Sequence, residues 1–269
     1  MAAWIRAYMV RLSGRPLGEG RCYRPRSRRT GGSGVAGMTQ RVAIVTGANR
    51  GIGRAIAAGL ARDGLLVVAT GRDAYALAET AAELGRSGKV YWHPLDITNP
   101  ASVARCFADV AKAYGRIDVL VNNAGIAIDR GQAAASPDFE RVKATIDANL
   151  LGAWRCAAAA IPEMRRHGYG RIINMTSHLG RMSTMADKNV SYRVSKAALN
   201  ALTRVLAAEL AGSGILVNAV SPGQVHTRMA YGETTQTLEE GADTAVWLAQ
   251  LSADGPNGQL FYDRESTSW

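Results

Sequence analysis

From residue 41 onward, apolar positions fall into two alternating rhythms. Short runs rich in β-branched residues, at 41–46, 65–70, 89–92, 117–121, 171–175 and 215–220, have the length and make-up of buried strands. Between them, apolar residues recur three and four apart. These stretches predict a helix through Ala55–Ala61 ending near Gly64, then helices over 74–86, 100–114, 138–166 and 191–212. A last helix, 238–251, leads to a short strand near 259–262. Regular alternation of strand and helix predicts an α/β fold: one doubly wound parallel sheet with helices on both faces, because right-handed crossovers put them there. Such sheets bind ligands outside the C-terminal ends of their strands. Gly47, Asn122 and Ser177 all fall at such ends, so they converge on one edge. No repeat and no second domain is visible.

Composition changes the picture mainly at the N-terminus. The chain of 269 residues carries a formal charge of +10. Eight arginines against the single acid Glu19 in residues 1–37 account for seven of those charges. The rest is only mildly basic, which argues against a nucleic-acid partner. Residues 1–37 end in Gly/Ser-rich sequence and read as a disordered extension; an organelle transit peptide would look similar. Residues 38–269 are the expected folded domain, and nothing before Arg41 is needed for the sheet. With no run of 18 apolar residues, no membrane span is expected. Cys22, Cys106 and Cys156 show neither disulfide pattern nor metal spacing, and the last two read as buried thiols of a reducing, cytoplasmic compartment. No metal site is predicted.

Two motifs carry chemistry. Thr46-Gly47-Ala48-Asn49-Arg50-Gly51-Ile52-Gly53 lies between a strand and a helix, the context a phosphate-cradling loop requires. Tyr192 and Lys196 are four apart in a helical stretch and so share a face. An ammonium beside a phenol favours phenolate, making the tyrosine a usable proton donor or acceptor. About 20 residues past the glycine loop, where a carboxylate would bind ribose hydroxyls, the sequence reads Gly71-Arg72-Asp73. Arg72 and Arg50 suit a 2′-phosphate, hence NADPH/NADP over NAD. Asp73 dissents, and Arg72 could simply pair with it.

The glycine loop, Leu95-Asp96-Ile97, Asn122-Asn123-Ala124-Gly125, Asn149, Ser177, Tyr192 with Lys196, and Ser221-Pro222-Gly223 with Thr227 come in the order seen in the short-chain dehydrogenase/reductases. The chain resembles that family from 41 to about 262. The resemblance implies a Rossmann-type fold, with Asn149, Ser177, Tyr192 and Lys196 as catalytic residues. In this role Ser177 bonds the substrate oxygen, Tyr192 moves the proton, Lys196 also binds the nicotinamide ribose, and Asn149 holds a water for reprotonation. It implies a cofactor site of Thr46, Gly47, Asn49, Arg50, Gly51, Ile52 and Gly53 in the loop and Arg72, Asp96 and Ile97 around the adenosine. Asn123, Ala124, Gly125, Tyr192, Lys196, Pro222, Gly223, Val225 and Thr227 complete it.

The implied activity is reversible reduction of a ketone or aldehyde to an alcohol, in the manner of carbonyl reductases. A β-ketoacyl-carrier-protein reductase and a non-catalytic NADPH-sensing protein are the alternatives. The terminal Gly258-Gln259-Leu260-Phe261-Tyr262-Asp263 lacks the Asp-Gly-Gly close common in the former. Between Ser177 and Tyr192 there is no room for the inserted helix of monomeric carbonyl reductases. That favours a homodimer or homotetramer joined through helices 138–166 and 191–212. His178, His226 and Asp129 lie near the expected pocket and are given no role.

Overall fold

The central strands form where four to six consecutive residues are buried on both faces, and four of the helices begin where a side chain caps them. The structure, a computed structural model, describes residues 40–230 and 233–269. The expectations for residues 1–37, for Met38 as a domain start and for Cys22 lie outside them. The elements are β1 (Val42–Thr46), α1 (Gly51–Arg62), β2 (Leu66–Gly71), α2 (Ala74–Leu84), β3 (Lys89–Pro94), α3 (Pro100–Tyr114), β4 (Val119–Asn122) and α4 (Phe139–Ile146). After a π-helical turn, Asp147–Gly152, come α5 (Ala153–His167), β5 (Gly170–Met175), two 3-10 turns, α6 (Val190–Glu209), β6 (Ile215–Val220), α7 (Leu238–Leu248), β7 (Leu260–Tyr262) and β8 (Glu265–Thr267).

The strands form one sheet in the order β3-β2-β1-β4-β5-β6-β7-β8. All neighbours are parallel except β7 and β8. The chain winds outward from β1 to β3, then returns to pair β4 with the other side of β1. That reversal is where a doubly wound sheet opens a crevice for ligands. On one face Ile44, Leu120 and Ile172 pack with residues of α3, α5 and α6; on the other, Val45, Val121 and Ile173 pack with α1, α2 and α7. The doubly wound architecture expected from the apolar rhythm is therefore present.

Three local features differ from the expectation. The helix expected over 138–166 is interrupted by the π-helical turn, a widening that leaves the same residues apolar and so escapes a 3.6-residue rhythm. Gly152, at its end, stands so close to Ile97 that an added Cβ would lie 2.7 Å from the Ile97 Cδ1 atom. The helix expected to reach 212 ends at Glu209, and the one expected to reach 251 ends at Leu248. β8 was not anticipated, because the run after Tyr262 is polar. Its turn uses two non-glycine residues in the left-handed region, Asp263 (φ 49°) and Arg264 (φ 60°). The Arg264 N–H donates to the Thr244 hydroxyl at 3.0 Å, and its Nε to Asp243 at 2.6 Å, which holds the turn against α7.

At the N-terminal ends of the strands, away from the ligand edge, a charged network replaces apolar packing. Asp118 is fully buried and accepts from the Val42 N–H (2.7 Å) and from the Arg116 guanidinium (2.7 and 2.6 Å). Arg41 and Arg171 stand 4.2 and 4.1 Å from the centre of the Tyr169 ring. Arg171, only 1% exposed, donates to the carbonyls of Gly170, Gly214, Leu251 and Ser252. Arg171→Met fills similar space but removes five hydrogen bonds to these carbonyls. We expect a loss on the order of 3 kcal/mol, read as a lower urea midpoint at unchanged slope; a midpoint equal to the parent's would refute the role.

Candidate active site

The cleft is assembled at the β1/β4 reversal. Thr46, at the end of β1, accepts at its hydroxyl from the N–H groups of Asn123 and Ala124, each at 3.0 Å, and donates to the Val121 carbonyl at 3.2 Å. The Asn123 amide donates to the carbonyls of Thr46 (2.9 Å) and Gly47 (3.2 Å). Gly47 is left-handed (φ 65°), and a Cβ on it would lie 3.0 Å from the Ala124 Cα; a Cβ on Gly53 would run into the Gly47 carbonyl. Only glycine lets the turn and the first residues of α1 approach this closely. The Asn49 carbonyl accepts from the Thr80 hydroxyl, which fixes the loop from the α2 side.

The N-terminus of α1 stands apart from its neighbours. Side chains cap α2, α3, α4 and α7 through Asp73, Asn99, Asp138 and Thr237. Arg50, at the cap of α1, makes no such bond. The first-turn N–H groups at Gly51, Ile52 and Gly53 are left with their dipole facing the ligand edge, a ready anion site. Arg50 and Arg72 are exposed and have no ion-pair partner among the described residues. Asp73, the alternative partner for Arg72, is engaged elsewhere: its Oδ1 accepts from the Tyr75 and Ala76 N–H groups at 3.1 Å. Asp96 accepts from the hydroxyl (2.7 Å) and N–H (3.0 Å) of Thr98. Those bonds, with a smaller contribution from the Arg72 charge, hold its carboxyl below the ordinary value against some desolvation. Ile97 presents its side chain to the core beside Gly152, so it can meet a ligand only through its main chain.

Ser177, Tyr192 and Lys196 line one cleft, together with Ile52, Asn123 and Gly125 on the loop side. Pro222, Gly223, Val225 and Thr227 form its opposite wall. Helix α6 brings Tyr192 and Lys196 onto one face, with the Lys196 Nζ 5.7 Å from the Tyr192 ring centre. Nζ donates to the Met175 carbonyl at 2.7 Å. Burial pushes the ammonium down to about 8, so it is mostly charged at neutral pH. The Ser177 hydroxyl also caps a 3-10 turn, accepting from the Leu179 N–H at 3.2 Å.

Asn149 and Lys196 flank Gly125. Asn149 lies in the π-helical turn, behind Gly125, where an added Cβ would come within 2.9 Å of its Oδ1. Oδ1 accepts from the Ile126 N–H (2.7 Å), while Nδ2 donates to the Ile126 carbonyl (2.9 Å) and to the Ser195 hydroxyl (3.0 Å). Its side chain is engaged at both ends in structure, which leaves its main chain for any water.

Among the residues given no role, His178 lines the cleft; burial first, then the charges of Arg193 and Arg181, push its imidazole below the ordinary value, so it is neutral at pH 7. His226 bonds Thr234, and Arg130 donates at 2.6 Å to the carbonyl of Ala230, which lines the cleft. Asp129 is fully buried against the start of α6. No periodic signal marks these loop residues; only their three-dimensional partners do. Cys106 and Cys156 are buried free thiols, both pushed up by desolvation.

The family model described as short chain dehydrogenase matches residues 41–237. This chain belongs to the short-chain dehydrogenase family. The short-chain reductase protein NovJ of Streptomyces niveus is 38% identical over 220 residues, covering 81% of this chain and 82% of NovJ. Carbonyl reductase (NADPH) 3 of Rattus norvegicus is 33% identical, covering 85% of this chain and 98% of its own. A 3-oxoacyl-acyl-carrier-protein reductase of Synechocystis is 37% identical over 72% of this chain and 78% of its own. Among solved structures, that of an actinorhodin polyketide ketoreductase with NADPH superposes with a TM-score of 0.76 at 30% identity, covering 82% of this chain and 94% of that one. Family membership makes the protein an oxidoreductase acting on carbonyl or alcohol groups.

The burial of Lys196 in this dehydrogenase has a measurable consequence for stability. Its folded pKa, about 8, is depressed below the ordinary 10.5, so between those values the unfolded chain holds more protons than the folded one. Stability from this group therefore rises with pH across that window. Compared with Lys196→Met, the parent should gain on the order of 2–3 kcal/mol between pH 8 and 10.5. Paired urea titrations at the two pH values check this; a constant difference would show that the lysine is not desolvated.

Proposed function

We propose that this short-chain dehydrogenase is an NADPH-dependent carbonyl reductase that converts a ketone or aldehyde to its alcohol. One observation carries the reading: Ser177, Tyr192 and Lys196 line the same cleft, directly beside a glycine loop whose helix has no capping side chain. The residues present fit a dinucleotide. The close approach of Gly47 and Gly53, the open N–H groups of α1, and the unpaired Arg50 and Arg72 together make a cradle for several phosphates, including one at the 2′ position. Asp73 serves as a helix cap, which favours the phosphate reading over a ribose-binding carboxylate. Similarity to the ketoreductase solved with NADPH and to the rat reductase named for it supports the same choice. When bound, the reduced nicotinamide supplies the two electrons of the reaction.

The chain's own residues do the rest. Negative charge develops on the substrate oxygen, and the hydroxyls of Ser177 and Tyr192 are its donors. Tyr192 gives up its proton to that oxygen. The Lys196 ammonium stabilises the phenolate left behind, and the Met175 carbonyl keeps that ammonium in place. The Asn149 main chain holds the water that returns a proton toward Lys196. A carrier-bound β-ketoacyl thioester is the second reading, favoured by similarity to the Synechocystis reductase. A panel of free ketones and thioesters separates the two. Buried free Cys106 and Cys156 fit a reducing, cytoplasmic compartment.

We also propose that two copies pair through α5 and α6. Trp154 and Val205 are 49% and 61% exposed; Val194, on α6 with Val205, and Leu151, in the turn that leads into α5, are exposed as well. Val194 and Val205 are three helical turns apart and so lie on one face. Trp154→Glu with Val205→Glu should lower the sedimentation mass toward that of one chain of 28.6 kDa; a parent that is already monomeric refutes the pairing.

For catalysis, Tyr192→Phe removes one hydroxyl. Turnover should fall at least about 100-fold with NADPH affinity retained; activity within a few-fold of the parent would exclude Tyr192 as the acid. Arg50→Ala and Arg72→Ala should each weaken NADPH about tenfold or more and NADH little, read by fluorescence titration. An unchanged NADPH/NADH ratio in both would make Asp73 the selector.

A further inference from the structure

Tyr192 is the third residue of α6, where a helix still carries N–H groups without intrahelical acceptors. The residue at the cap does not satisfy them. Asn189 is left-handed (φ 51°) and its side-chain oxygen accepts instead from the Gly131 N–H at 2.9 Å. The missing acceptor comes from elsewhere in the chain. Asp129, in the loop after β4 and fully buried, accepts at Oδ2 from the N–H of Ser191 (2.7 Å) and of Tyr192 (3.2 Å). A carboxylate tolerates such burial only when hydrogen bonded, and a helix N-terminus offers both donors and a favourable dipole. On its other side, the Tyr192 carbonyl accepts from the Ser195 hydroxyl (2.8 Å), which itself accepts from Asn149. One side chain from another segment, Asp129, and one from the helix itself, Ser195, thus bond the main chain of the tyrosine.

The entry to α6 is also conformationally costly. Lys188 (φ 63°) and Asn189 are consecutive left-handed residues without glycine's freedom. The Lys188 carbonyl is held by the Arg193 Nε at 3.2 Å. Strain of this kind persists only where its surroundings fix it, and here two buried charged side chains do so, Arg193 at the Lys188 carbonyl and Asp129 at the first N–H groups of the helix. Asp129 does not line the cleft, so it reaches the substrate only through Tyr192. Its Oδ1 and the Ser191 hydroxyl are buried without hydrogen-bond partners among the described residues, so an amide could replace the carboxylate without opposing a bond seen there.

We propose that Asp129 is a positioning residue: its carboxylate fixes the first turn of α6 and thereby the place of the Tyr192 phenol in the cleft. The inference rests on Tyr192 acting as the proton donor. The test uses the full chain, with NADPH and whichever ketone the parent reduces. Asp129→Ala should lower kcat at least about tenfold while the Kd for NADPH stays within about twofold. It should also speed amide exchange at Ser191 and Tyr192 by about tenfold or more. Asp129→Asn keeps an acceptor oxygen and should stay within about threefold of the parent in all three. In a Tyr192→Phe background, Asp129→Ala should reduce the residual rate no further. Parent-like kcat and exchange in Asp129→Ala, or an equal loss in the Tyr192→Phe background, overturns the proposal. Should Asp129→Ala not fold, Asp129→Glu displaces the oxygens by one methylene: a lower kcat at unchanged NADPH binding supports the role, and a parent-like kcat refutes it. A parent that reduces no carbonyl refutes the proposed function instead, and is told apart because exchange at Ser191 and Tyr192 is read without turnover.

Discussion

A single hydroxyl at the sheet's reversal point underlies the geometry of the cleft. Thr46 ends β1, and its side chain closes onto the two N–H groups that follow β4 while donating to the Val121 carbonyl. Parallel strands cannot be joined by a tight turn, so nothing in the chain's connectivity would otherwise keep the ends of β1 and β4 in register at this edge. The Asn123 amide adds a second tie to the same point. With these in place, Gly47 meets Ala124 at contact distance, α1 starts beside the strand ends, and Gly125 lies between Asn149 and Lys196. Displace the hydroxyl, and the loop, the helix start and the back of the cleft lose their common reference.

The site gathers groups that folding alone would disfavour. An ammonium is desolvated at Lys196, a helix start is left uncapped at Arg50, and two adjacent residues are left-handed ahead of Tyr192. Each is an unfavourable local choice in a fold where α2, α3, α4 and α7 are capped by side chains in the usual way. Their concentration at one edge is what a site prepared for charge and proton movement requires. The opposite edge, with Asp118 and Arg171 fully hydrogen bonded, carries its buried charges in satisfied form.

Much of this was legible in the sequence because it is periodic or local. The doubly wound parallel sheet followed from alternating apolar rhythms, and the Tyr192–Lys196 pair from helical spacing. The glycine loop declared itself through its flanks. What the sequence left open is non-local. Asp73 beside Arg72 reads as a pair until the structure shows its oxygen bonded to the next helix's N–H groups. The tie of the Asn149 side chain to Ile126, 23 residues earlier, has no sequence signal. Asp129 reaches across 62 residues to its partner, with no pattern to announce it. The π-helical turn preserves the apolar face of the helix it widens, and β8 has no apolar alternation to mark it.

The two outer strands bear on how this sheet behaves in a crowded solution. An open parallel edge offers a row of unpaired N–H and C=O groups to any extended chain that meets it. One edge here, β3, begins with Lys89 and ends with Pro94, a charge and a residue without an N–H at its two limits. At the other, the sheet turns back on itself: β8 pairs antiparallel with β7 for only three residues, begins with Glu265, and is anchored to α7 through Arg264. The edge left for a stray strand is therefore short and charged. The polar segment from Asp263 to Thr267 thus leaves little edge on which a foreign strand could be added.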